Sequence, residues 1–155
     1  QGLKPAYIKK GNLFECDFNA NGYRLPTEAE WEFAARGGKK SLGYAFSGSD
    51  DLTNVAWVKS NSNGAPHPYG TKMPNELGIH DMTGNVWEWC WDWHNMDYYK
   101  MENYNNPKGP VNGEKKVVRG GSWDSVTSYA RISNRISTST DTTYPFYGFR
   151  VVRSK

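Results

Sequence analysis

Trp87-Glu88-Trp89-Cys90-Trp91-Asp92-Trp93 is the stretch that leaves this chain the fewest choices. Indoles alternate strictly with Glu, Cys and Asp, which is the period of a strand with the rings on one face and the smaller residues on the other. Four indoles on an open face would be an aggregation hazard, so at least the first three are expected to be buried. Composition points the same way. With 15% aromatic residues and a mean hydropathy of −0.82, interior area has to come largely from rings. Sixteen Gly and eight Pro add many turns and leave little room for long helix.

A chain of 155 residues is expected to form a single domain. Its formal charge of +3 is spread over isolated pairs such as Lys9-Lys10 and Lys39-Lys40, which excludes nucleic acid as the main partner. No apolar run approaches a membrane span. Gln1 at the start makes the chain read as cut from something longer, so any membrane attachment is expected through an anchor outside it. Cys16 and Cys90 lie far apart, outside any close-spaced metal or redox pattern. Two buried free thiols lead over a disulfide, and a reactive nucleophile comes third.

The clearest local signal runs from Tyr23 to Gly38. Thr27 with Glu30 forms a capping box, Glu28, Glu30 and Glu32 suit the positive end of the dipole, and Gly37 suits a left-handed end. A short helix docking on the core is expected, with Ala29 and Phe33 on one face, Trp31, Ala34 and Ala35 beside them, and its acids explained by capping and solvation. Residues 1 to 22 read as irregular apart from a short strand over Ala6–Lys9. Residues 41 to 74 are turn-rich, with a strand or turn at Asn54–Val58, and residues 94 to 115 form a polar loop.

A second organising stretch opens with a strand, Lys116–Arg119, breaks at Gly120-Gly121, and closes on a strand expected from Gly148 to Val152. Between them lie Ser, Thr, Tyr, Ile and Asp, the mixture of stiff rings and adaptable hydroxyls that serves recognition surfaces. Tyr129, Ile132, Ile136, Tyr144, Phe146 and Tyr147 are the expected anchors. Asp124, Ser125, Ser128, Ser133 and Thr138 are the expected polar partners, with Val126 beside them. For Ile132 and Ile136 a core position stays nearly as good a reading as an exposed one. Trp123 and Phe149 are expected to pack inward, and Arg131 and Arg135 to brace the backbone.

Four runs occur in an order and spacing that resembles the formylglycine-generating enzyme (sulfatase-modifying factor) domain family, over residues 22 to 153. They are Gly22-Tyr23-Arg24-Leu25-Pro26-Thr27-Glu28-Ala29-Glu30-Trp31-Glu32, Gly84-Asn85-Val86-Trp87-Glu88-Trp89, Arg119-Gly120-Gly121-Ser122-Trp123 and Gly148-Phe149-Arg150. The resemblance implies an α+β, C-type-lectin-like fold with little regular structure, one or two short helices and short twisted antiparallel sheets. It further implies that residues 1–155 are the C-terminal major part of such a domain, lacking a preceding strand and helix.

The family's best-known activity oxidises a substrate cysteine to formylglycine through two cysteines that bind copper(I), a metal suited to thiolates. By the resemblance they would stand three and eight residues beyond the Ser of Gly-Gly-Ser, where this chain has Ser125 and Ala130. A non-catalytic protein is therefore expected. One branch fits better: variable proteins of diversity-generating retroelements, whose adenine mutagenesis diversifies a ligand-binding face near the C-terminus. Starting from Asn codons, that process does not reach Lys, Glu, Gln, Met or Trp, and none of these occurs between Asp124 and Tyr147.

The expected function is a receptor- or adhesin-like protein at an extracellular or bacterial cell surface, in this branch commonly a lipoprotein. Segment 124–147 would contact a variable ligand, a protein on another cell or host. The alternatives are an oxidase of the formylglycine-generating type and a calcium-dependent lectin, although the Glu-Pro-Asn and Gln-Pro-Asp sugar signatures are absent. No cofactor is required. The resemblance implies a structural calcium held by the Asp81 and Glu88 side chains and the Gly84 and Val86 carbonyls, an oxygen-only set that suits the ion. On the other reading, Glu88 pairs with a buried arginine or with backbone amides.

Overall fold

The computed structural model describes residues 2–11, 13–100 and 105–154. Its centre is a four-stranded sheet in the order β6 (Arg135–Thr138), β5 (Lys116–Arg119), β4 (Trp87–Trp93) and β7 (Tyr147–Gly148). Strand β5 runs antiparallel to both neighbours, with Glu88 opposite Arg119 and Val118 opposite Ile136, whereas β7 lies parallel to β4. Two small antiparallel pairs flank it: β1 (Tyr7–Lys10) with β2 (Leu13–Cys16), and β3 (Tyr23–Arg24) with β8 (Val152–Arg153). The α-helices are α1 (Glu28–Ala35) and α2 (Leu52–Val55).

Strand β4 has the expected period and the unexpected face inward. Glu88, Cys90 and Asp92 are buried, while Trp89, Trp91 and Trp93 are only half-buried and Trp87 alone among the four is fully covered. The cause is α1, which lies against the acidic face. Asp92 accepts from the Glu28 amide at 2.8 Å at the helix's first turn, and Glu88 accepts from the Trp31 indole at 2.6 Å. Polar groups are cheap to bury when they are bonded in this way. On the opposite face Tyr7 stacks on Trp91, Tyr147 leans on Trp89, and Lys116 lies over Trp91 and Trp93.

Helix α1 has its capping box from Thr27 and Glu30, and Gly37 takes φ +85° after it. Trp31 and Ala35 turn inward as expected, joined by Glu28, whereas Ala29 is half-buried and Phe33 is 58% exposed. Nor are the other two acids merely solvated. Glu28 receives Arg135 at 2.8 and 2.7 Å and lies 3.4 Å from Arg119, while Glu32 binds Arg119 and Arg36. Arg119, with no exposed surface, is the hub that ties α1 to β5. Around it pack Trp31, Ala35, Met82, Cys90, Val117 and Ile132, and a second cluster gathers Phe46, Val55, Ala56, Val58 and Ala130.

Other expectations shift locally. Asp51 caps Thr53 at 2.9 Å and turns Leu52–Val55 into α2, leaving Trp57 a single bridge to Gly84. The N-terminal stretch holds a hairpin, since Leu13–Cys16 pairs with β1. The closing strand is split into β7 and β8, because Arg150 between them turns to Glu88 and Phe149 is left 69% exposed. Both cysteines are free, Cys90 buried and Cys16 half-buried.

Candidate ligand-binding cleft

The glycine pair makes the cleft possible. Gly120 and Gly121 both adopt positive φ, +95° and +79°, where other residues are strained. A Cβ on Gly121 would stand 3.0 Å from the Ala130 Cα, and one on Gly120 would stand 3.2 Å from the Trp31 ring. The chain thus leaves β5 in close contact with its own return. Ser122 and Ser125 then lock a tight turn: the Ser122 amide donates to the Ser125 hydroxyl at 3.0 Å, and the Ser125 amide to the Ser122 carbonyl at 2.9 Å. Asp124, at the tip, faces solvent and pairs with Lys59 at 3.2 Å.

Thr127–Ala130 follows as one 3₁₀ turn that brings Tyr129 edge-on to Trp87, with centroids 6.2 Å apart and planes at 71°. From the far end of the segment, the Phe146 carbonyl accepts from the Trp87 amide at 2.8 Å. Phe146 and Tyr147 are themselves 5.0 Å apart at 68°, and Tyr144 stacks on Phe146 at 5.1 Å. The result is a cleft of about 370 Å³ lined by Trp87, Ser122, Asp124, Ser125, Val126, Tyr129, Ile136, Phe146 and Tyr147.

Seven of the residues singled out from sequence therefore converge: Asp124, Ser125, Val126, Tyr129, Ile136, Phe146 and Tyr147. Ser125 is 8% exposed and belongs to the floor, where its hydroxyl serves the turn. Ile132, at 2%, is core, and Thr138 is buried on β6 opposite Lys116, so neither is displayed. Ser128 and Ser133 are exposed but do not line the cleft, and Tyr144 stands half-exposed behind Phe146. Arg131 is exposed and Trp123 half-buried. Sequence reasoning passed over Trp87 and Ser122. Trp87 reads as core by its strand period, and only the fold shows that its ring also forms a wall.

A larger concavity of about 640 Å³ lies among Phe18, Arg24, Glu30, Phe33 and Lys108. Arg24 there grips Glu30 at 2.6 and 2.7 Å, and Lys108 lies over the Phe18 ring. The residues implied for calcium do not fit the ion as placed. Both Glu88 oxygens are held by Arg150 at 2.6 Å, which supplies the counter-charge a cation would bring, and Asp81 accepts from the Gly70 amide at 2.7 Å. Among the described residues no group of three or more His, Cys, Asp or Glu is placed to hold a metal ion. At the positions implied for copper ligands stand the Ser125 hydroxyl, engaged with Ser122, and Ala130, packed against Gly121.

Asp92 is the strongly perturbed acid of the interior. One of its oxygens caps α1 and the other has no partner, and burial pushes its carboxyl up to about 7. Lys116, half-buried against the indoles, is brought down to about 8 by that desolvation. Both lie in the scaffold, outside the lining of the cleft.

Comparison with known proteins settles the ancestry. The sulfatase-modifying factor enzyme 1-like domain matches residues 6–155. The chain belongs to this family. It is 40% identical over 153 residues to a chaperone protein LppX of Paenibacillus barcinonensis, covering 88% of this chain and 51% of that protein. It is 38% identical over 146 residues to the formylglycine-generating enzyme of Streptomyces coelicolor, covering 83% and 46%. Among solved structures, Treponema denticola variable protein 1 superposes with a TM-score of 0.77 at 38% identity, over 89% of this chain and 50% of that one. These likenesses establish the mixed α+β, C-type-lectin-like architecture of few helices and short sheets. The chain spans about half the length of these relatives. No helix among the described residues is long and apolar enough to cross a membrane.

Proposed function

We propose that this chain is a non-catalytic ligand-binding protein whose segment 124–147 is a diversified surface carried on a sulfatase-modifying-type scaffold. The observation that carries the reading is convergence: seven residues spread along that segment line one cleft, on a frame held by the ion pairs of Arg119, Arg135 and Arg150. The likeness to a variable protein supports it. So does the residue repertoire of the segment, free of Lys, Glu, Gln, Met and Trp. The ligand is a protein on another cell or host, met at an extracellular or bacterial cell surface, and attachment to a membrane is through an anchor outside this chain. Ser125 and Ala130, at the implied copper positions, are the reason to set oxidation aside.

The test is a displayed library randomised at Asp124, Val126, Tyr129, Ile136, Phe146 and Tyr147 and selected against one arbitrary protein such as lysozyme. Specific binders that melt within a few degrees of the parent are expected. A library that yields none, or that is mostly unfolded, overturns the reading. The formylglycine-generating relative supports the second reading, an oxidase of protein cysteine. Incubation of the purified chain with copper(I) and a cysteine-bearing peptide decides between them: no aldehyde is expected, and its appearance would restore the enzyme.

A further inference from the structure

Several ring faces of this molecule are covered by its own cations. Lys116 lies 3.9 Å from the centroid of Trp93 and 4.5 Å from that of Trp91, and Lys72 lies 4.0 Å from Trp57. Arg119 covers Trp31, Arg135 covers Tyr99, and Arg24 and Lys108 both approach Phe18. The rings of the cleft carry no such cover. Among the described residues no lysine or arginine lies over Trp87, Tyr129, Phe146 or Tyr147, although these rings form two roughly perpendicular pairs around one volume. The same lining holds a carboxylate, Asp124, so rings with negative faces and a negative charge border one volume.

We propose that the cleft is an aromatic cage for a basic side chain, arginine or lysine, of the protein partner. The inference rests on the ligand-binding reading above and names the chemistry that the present surface selects. A cation among ring faces gains from their quadrupoles, most of all where water is partly excluded. Asp124 supplies the opposite charge. Its present partner, Lys59, is well exposed and bound through a single contact, so an incoming guanidinium displaces it at little cost. A volume of about 370 Å³ is at the lower end for small-ligand sites and suits one long side chain better than a folded ligand.

The experiment follows the indole resonances of the whole chain while it is titrated with three probes. These are a short glycine-flanked arginine peptide, the same peptide with neutral citrulline, and choline. The arginine peptide is expected to shift Trp87 and to bind about tenfold more tightly than its citrulline twin. That preference should disappear in Asp124→Asn and in Tyr129→Leu, both at exposed positions where folding is preserved. Equal binding of the two peptides would make the cleft an apolar slot and overturn the proposal, as would no shift with any probe. Choline binding more tightly than the arginine peptide would overturn it in favour of a small-molecule site. The library selection stands apart from all three arms: binders there with failure here would remove the cage and leave the display surface intact.

Discussion

The two faces of β4 solve opposite problems with opposite chemistry. On the side of Glu88 and Asp92, carboxylates and guanidiniums are packed away from water and bonded to each other, to α1 and to β5. At Trp87, rings that would ordinarily be core stand around an open cleft. Charge builds the frame here and aromatic surface is displayed, the reverse of the usual assignment of polar groups to the outside. The difference has a physical basis. Directional ion pairs fix the relative placement of short elements that have little apolar area to offer, whereas rings give contact area without demanding a fixed partner.

Arg119→Ala should have the largest effect. It opens a buried site beside Glu28 and Glu32, which keep only Arg135 and Arg36, and a loss of about 3 kcal/mol in urea unfolding is expected. A loss under about 1 kcal/mol would mean that the frame does not depend on its charges. Next comes a pH effect at Asp92. The folded carboxyl keeps its proton up to about 7 while the unfolded one gives it up near its ordinary value. The folded chain therefore binds more protons across that window, and stability falls as pH rises through it. Asp92→Asn should flatten this decline in urea midpoints measured across the window, and an unchanged slope would assign it to other groups.

Ser125→Ala tests the border between the two regions. Its hydroxyl receives the Ser122 amide, so roughly 1–2 kcal/mol should be lost, placing Ser125 with the frame although it lines the cleft. Tyr144→Ala should change stability least, within about 0.5 kcal/mol, because the ring is half-exposed and rests only on its neighbours in the segment. If Tyr144→Ala proved as costly as Ser125→Ala, the division between frame and display would have to be redrawn.

What could be read in the sequence was local. Thr27 and Glu30 cap α1 as their spacing requires, Lys116–Arg119 is a strand, and the alternation in β4 is real. The face of β4 that turns inward was not legible, because it is chosen by a distant partner. Trp31 needs an acceptor for its indole N–H, and Glu88, 57 residues on, provides it. The same limit holds within the cleft. Ile132 and Ile136 look alike in sequence, yet one joins the core of Trp31 and Met82 while the other lines the opening. Ser125 reads as surface until its bond to Ser122 is seen.

The stretch between Arg119 and Arg150 is moored at both ends. One arginine is locked into α1, the other onto Glu88, and Trp87 holds the Phe146 carbonyl between them. Heredity can therefore experiment with the outward-facing letters in between, sparing Ser125, Ala130, Ile132, Arg135 and Thr138, without each new spelling having to rediscover how the molecule folds.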